Sequence, residues 1–360
     1  MTTPKSAIAS TGNSLGLAMG QLRGQIRPFG QGLQTRWPGA LLCVAIALAA
    51  ATVAGVHNGP QLLYALLFGI ALHALDQRQT FKPGVAFCTS VVLRLGVALL
   101  GARITGVQIA ALGWPTALIV VGSVVSTILF GLWFGRRLGL SLTEGLLSGG
   151  ATAICGASAA LAIAAVLPRT RDQERFTLLV VIAVTTMSTV AMVIYPFVAQ
   201  AFHLPPALAG LFLGGSIHDV AQVVGAGYSL GQETGDAATI VKLLRISMLA
   251  AVVIVVSAAY RNGHSGADAE AAPSRPALVP WFLWAFLVLV CLNSAHAIPT
   301  SAQPLINEAS RACLVVAIAG LGVRTSFRML LSTGWRPFML LFMETLWLAG
   351  IVLTSTLMIR

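Results

Sequence analysis

Charge is what this sequence has least of. Asp and Glu number 11 and all charged residues make up 9% of 360, where a soluble domain carries about 25%. A water-facing surface of ordinary polarity cannot be built from that composition, so an ordinary soluble enzyme or binding module is excluded. No run of five or more like charges exists, so the net charge of +11 has no nucleic-acid arm to sit on. Cysteine is also sparse: Cys43, Cys88, Cys155, Cys291 and Cys313 form no CxxC pair. Neither a disulfide framework nor a metal site is indicated, and no cofactor is expected.

What is there instead is apolar residues in long runs. The chain is 57% hydrophobic, with stretches such as "PGALLCVAIALAAATVAGV" (38–56) and "MLAAVVIVVSAA" (248–259). A helix needs about 20 such residues to cross the hydrocarbon of a bilayer. Eleven segments qualify as candidates: 38–56, 60–75, 84–102, 115–134, 144–167, 176–200, 206–231, 237–259, 280–297, 308–325 and 336–358. The expected fold class is an all-α polytopic membrane protein, with the lipid bilayer as its main partner. Residues 1–36, with Lys5, Arg23, Arg27 and Arg36, read as a basic cytoplasmic tail. Residues 37–360 form the transmembrane domain, and 260–276 ("YRNGHSGADAEAAPSRP") a flexible loop within it.

Two segments are not ordinary. "GGATAICGASAA" lies in 144–167 and "GGSIHDVAQVVGAG" in 206–231, each with small and polar residues where lipid favours Leu or Val. Both read as interrupted helices or re-entrant hairpins. If both simply cross, Arg169, Arg171 and Arg175 fall outside while the other basic loops stay inside. Hairpins would return those three arginines to the cytoplasmic face, in line with the positive-inside rule. Internal repeats are suggested by "PQLLYALLFG" (60–69) against "PALAGLFLGG" (206–215), and by "GARITGVQIAALGW" (101–114) against "GVRTSFRMLLSTGW" (322–335). The two echoes do not obey one duplication rule, and chance likeness between Leu- and Gly-rich stretches explains them equally well.

The candidate site residues sit at these interruptions. A break at Cys155, Gly156 and Ser158 would leave a half-helix N-terminus facing the membrane midplane, where free N–H groups and about +0.5 of an elementary charge suit an anion. Tight small-residue packing is the competing reading. Ionisable groups deep in a membrane mark functional sites by default, and His218 and Asp219 are such groups. In a helix starting near Ser216, His218 and Gln222 share a face. The cluster could carry a coupling proton, since histidine titrates near pH 6.5, or Ser216 and Asp219 could simply cap the half-helix. Lys242 and Arg245, three apart on one face, either snorkel to the interface or supply positive charge to an anion. Arg94 reads as a buried charge of unknown partner.

"AICGAS", "GGSIHDVAQVVGAG" and "KLLRISML", in this order and spacing, resemble the signature stretches of the YeiH-like family of bacterial inner-membrane proteins, which carry a sulfate-exporter designation. The resemblance runs from about residue 38 to the C-terminus. The family usually has Glu where Asp219 stands, a departure that keeps the carboxylate. Membership implies a relation to bile-acid-type symporters and cation/proton antiporters, with inverted repeats and broken helices meeting at the midplane. The implied function is secondary transport of a small inorganic or sulfur-containing anion, sulfate foremost, across the bacterial cell membrane. On that reading Cys155, Gly156, Ser158, Ser216, Lys242 and Arg245 bind substrate, while His218, Asp219 and Gln222 handle the coupling proton. Sodium- or proton-coupled transport of another organic anion is the alternative. A membrane-embedded enzyme using Cys155 is the alternative of another class and is not expected. Self-association stays open.

Overall fold

A computed structural model describes residues 29–57, 59–168, 170–260, 281–299, 301–325 and 334–360. Among these the chain is almost entirely helical and contains no strand. In chain order the helices are α1 (Phe29–His57), α2 (Gln61–Ala71), α3 (Lys82–Leu100, with a π-turn at Cys88–Val92), α4 (Gly106–Ala111) and α5 (Gly113–Arg137). There follow α6 (Leu142–Ala153), α7 (Ala157–Ala164), α8 (Arg171–Ala201), α9 (Pro206–Ser216) and α10 (Val220–Leu230). The last are α11 (Gln232–Tyr260), α12 (Trp281–Ser294), α13 (Ala302–Arg324) and α14 (Trp335–Met358).

Each of the eleven apolar segments is helical, and two are interrupted: α6 gives way to α7 at Ile154–Gly156, and α9 to α10 at Ile217–Asp219. Seven helices among the described residues are long and apolar enough to cross a membrane. The greater part of the expected 1–36 tail lies outside the described residues, while 29–36 already belong to α1. The expected 260–276 loop lies outside them beyond Tyr260.

The helices sort into two bundles. α1, α2, α3, α4, α12 and α13 pack on one another, as do α5 to α11 with α14. The bundles meet chiefly where α10 lies along α2 and α13. Small residues set the closest approaches, as expected where lipid removes the hydrophobic drive between helices. Gly69 of α2 abuts the backbone at Gly322 of α13, and Gly131 of α5 abuts Gly145 of α6; a Cβ at any of these would collide with the facing helix.

Both interrupted segments turn back on themselves. Gly150 of α6 lies against the Ile163 side chain of α7. In a straight helix these residues would be roughly 20 Å apart at 1.5 Å per residue. Gly210 of α9 and Gly227 of α10 both contact the same turn of α11, around Thr234 and Ala238. Each pair is therefore a hairpin. α6–α7 opens toward the end of α5 and the start of α8, and α9–α10 opens toward the other end of α8. Since α8 runs 31 residues, about 46 Å, the hairpins approach from opposite ends of α8 and meet at their tips. Arg136, Arg137, Arg171 and Arg175 then gather on one side. A labelling experiment checks this. In a variant lacking the exposed Cys291, Ser141→Cys and Thr170→Cys will react with an impermeant maleimide from one face, and His203→Cys and Gln232→Cys from the other. Labelling of Ser141→Cys and Thr170→Cys from opposite faces would show that α6–α7 crosses.

Candidate functional site

The two hairpin tips join at a polar cluster in an apolar surround. At the first tip, Gly156 takes φ 67°, a left-handed conformation that glycine adopts without steric cost. This lets the chain reverse and start α7, and Gly156 donates its N–H back to the Ala151 carbonyl at 2.8 Å. At the second tip, Ile217 is extended and Asp219 is the N-cap of α10, its Oδ1 accepting from the Ala221 N–H at 2.8 Å. The tips touch: Gly156 faces His218, and the His218 Nδ1 pairs with the Thr152 carbonyl at 3.0 Å. Ser188 of α8 supports the second tip, its Oγ accepting from the N–H of His218 at 3.2 Å and of Asp219 at 3.0 Å.

Lys242 and Arg245 lie one turn apart on α11, and both are 0% exposed. Neither snorkels. The Lys242 Nζ donates to the carbonyls of Ile154 at 2.6 Å and Ile217 at 3.0 Å, bridging the two tips. Arg245 Nε donates to Ala153 O at 3.0 Å. Its Nη1 donates to Gly214 O at 3.0 Å and Ile217 O at 3.1 Å, and its Nη2 to Thr152 O at 3.2 Å and Ala153 O at 2.6 Å. A guanidinium has five N–H donors, so a full set of bonds goes to carbonyls. These oxygens belong to the C-terminal ends of α6 and α9, which carry orphan acceptors and about −0.5 of an elementary charge each. The sequence explains the pattern: two cations spaced i, i+3 on one helix face present a fork and a point charge to two helix ends at once.

Several expectations are corrected. Ser216 does not begin a helix. It ends α9, and its Oγ donates to the Phe212 carbonyl of its own helix at 2.6 Å. The cap of α10 is Asp219 because the chain leaves α9 at Ile217 and re-enters helix three residues later. His218 therefore precedes the helix and shares no face with Gln222. The Gln222 Nε2 donates instead to Thr189 Oγ1 at 2.8 Å, and its buried Oε1 has no hydrogen-bond partner among the described residues. Arg94 is exposed, not buried, and stands on the outer face of α3 where its long stem can reach polar surroundings. Cys155 is buried at the first tip, whereas Ser158 is exposed on the first turn of α7.

Other functional groups escaped sequence reasoning. Glu344 of α14 is 0% exposed and accepts from Ser148 Oγ at 2.7 Å and Thr152 Oγ1 at 3.0 Å. Its neighbour Thr345 meets His218 Nε2 at 3.1 Å. An acid inside the apolar run "FMETLW" carries the same signal as Asp219 and could have been found by it. Where the bundles meet at the far end of α10, Arg103 pairs with Asp236 at 3.3 Å, and Tyr228 donates to Asp236 at 2.6 Å. A cavity of about 370 Å³ adjoins them, lined by Gln61, Arg103, Tyr228, Ser229, Glu308 and Arg311 among others. No cluster of three or more metal-ligating side chains occurs among the described residues.

Comparison with known proteins covers most of the chain. The family described as "Conserved hypothetical protein 698" matches residues 38–341. A UPF0324 membrane protein of Chlorobaculum tepidum is 46% identical over 320 residues, 89% of this chain and 88% of the relative. The UPF0324 membrane protein TauZ of Paracoccus pantotrophus is 47% identical over 322 residues, 89% of this chain and 94% of the relative. TauZ of Paracoccus denitrificans is 46% identical over 321 residues, with the same coverage of 89% and 94%.

Proposed function

The chain belongs to the UPF0324, or YeiH-like, family of multi-pass membrane proteins, and on that premise we propose that it is a secondary transporter of a small anion, with sulfate or a related sulfur oxyanion as the substrate class. One observation carries the reading: two hairpins approaching from opposite ends of α8 meet at a buried cluster organised by Lys242 and Arg245. Irregular backbone at membrane depth persists only where protein or a water-filled path surrounds it, and helix ends meeting there are the pattern of transporter sites.

The electrostatics favour an anion. Lys242 and Arg245 satisfy the negative ends of α6 and α9, so the positive N-terminal ends of α7 and α10 remain as the unbalanced part of the field. The two cations act by organising that field and not as direct ligands. Asp219 occupies the α10 end as a built-in anion, through its bond to the Ala221 N–H. Protonating Asp219 weakens that bond and vacates an anion position, so anion and proton bind together. The sign is symport at this site. Under an inward proton gradient symport runs inward; export down the membrane potential would need an uncoupled route instead of this one. The Lys242 ammonium already holds the carbonyl position that a coordinated sodium ion would take, which supports protons over sodium.

By the positive-inside rule the face bearing Arg136, Arg137, Arg171 and Arg175 is cytoplasmic. On this reading the N-terminus is inside, with nine crossing segments and two hairpins in the bacterial cell membrane. The opposed hairpins suit an inverted repeat in which each half supplies one. Radiolabelled sulfate flux in proteoliposomes under imposed pH and sodium gradients tests the proposal. It expects protein-dependent flux that follows the pH gradient and ignores sodium. Flux that follows sodium alone would overturn the coupling, and absence of flux for sulfate, sulfite and thiosulfate alike would overturn the substrate class.

A further inference from the structure

A second carboxyl group in the core has no part in the account above. Glu344 lies within α14, 0% exposed, and is clasped to the first hairpin by the hydroxyls of Ser148 and Thr152 at 2.7 and 3.0 Å. Among the described residues no ion pair involves it. The helices packed on α14 bring it no counter-charge. α9 has no ionisable residue, while Arg136, Arg137, Glu144, Arg171, Asp172, Glu174 and Arg175 of α5, α6 and α8 lie at helix ends. Tyr195 of α8 packs on Phe212 of α9. Lys242 and Arg245 direct their donors to the tip carbonyls. An isolated buried carboxylate is costly, and the group escapes that cost by binding a proton.

The surroundings can accommodate either state. As a carboxylate, Glu344 accepts from both hydroxyls. As an acid, it donates its own O–H to Ser148 Oγ, whose hydrogen turns to the Gly145 carbonyl at 3.3 Å, while Thr152 Oγ1 still donates to the other carboxyl oxygen. One titratable neighbour, His218, is linked to it through Thr152. The Thr152 carbonyl only accepts, so the His218 Nδ1 carries hydrogen and its Nε2 faces the Thr345 hydroxyl at 3.1 Å. That hydroxyl also reaches the Leu341 carbonyl at 2.8 Å and can act as donor or acceptor to the ring. The Ser148 hydroxyl beside Glu344 and the Thr345 hydroxyl beside His218 thus each have two alternative partners.

We infer that Glu344 is a proton-binding site of the core, separate from Asp219, which loads and unloads a proton through the Ser148–Thr152 clasp. Its part in a transport cycle rests on the transporter reading, but the binding does not, and it can be measured without substrate.

The test is infrared difference spectroscopy of the purified full-length protein in liposomes, titrated in pH in H₂O and D₂O. The expected result is a carboxylic-acid carbonyl band, shifted by D₂O, that disappears on alkalinisation. It is missing from Glu344→Gln and retained in Asp219→Asn. In Ser148→Ala with Thr152→Val, which leaves the glutamate in place, the band moves to higher frequency because its carbonyl has lost hydrogen bonds. A spectrum unchanged by Glu344→Gln would overturn the inference. So would a Glu344 band that persists at every pH, since the group would then be a permanently neutral acid.

Discussion

Replacing Arg245 with alanine will destabilise the folded protein by about 3–5 kcal/mol, through orphaned buried carbonyls and an emptied side-chain volume. The guanidinium is the hydrogen-bond donor recorded for the carbonyls of Ala153 and Gly214, at the ends of two helices. Each orphaned buried acceptor costs about 1–3 kcal/mol, and the emptied side-chain volume adds to that. The Ile217 and Thr152 carbonyls keep Lys242 and His218, so the loss stops short of five bonds. Arg245→Lys, with three donors on a shorter stem, will recover part of the stability. Unfolding in detergent, followed by circular dichroism, measures both variants. If Arg245 were instead a substrate ligand, Arg245→Ala would retain its stability and lose only anion affinity.

The second large effect falls on coupling. Asp219→Asn keeps an N-cap of nearly equal quality, since Asn and Asp rank together at that position, and stability will change by less than about 1 kcal/mol. The Asn side chain can still accept from the Ala221 N–H, but it has no proton to take up. Anion uptake driven by a pH gradient will fall to the level of protein-free liposomes, while anion exchange without a gradient persists. Equal loss of both activities would mean that Asp219 acts only as a cap holding the tip in place.

These two residues also mark how far the sequence could be read. The interruptions at "AICGAS" and "GGSIHD" were visible because polar and glycine residues inside an apolar run are a local signal, and both fall where the helices break. The depth of Lys242 and Arg245 was visible for the same reason. What they touch was not. Their carbonyl partners lie 25 to 93 residues away along the chain, and only the docking of two hairpins against α11 brings them together. Ser216 and Asp219 are both good caps by type, and the choice between them is made by the extended Ile217, which no propensity foretells. Arg94 was misplaced because a helix in lipid does not announce which face is turned outward. Glu344 was overlooked although its local signal equals that of Asp219.

The central claim is that the joined hairpin tips move an anion together with a proton on Asp219. The most direct measurement follows radiolabelled sulfate and internal pH together in proteoliposomes with an alkaline interior. The account predicts that sulfate enters with internal acidification in the wild-type protein and that both disappear in Asp219→Asn. Sulfate entry of equal size in the two proteins, with no acidification in either, would contradict it.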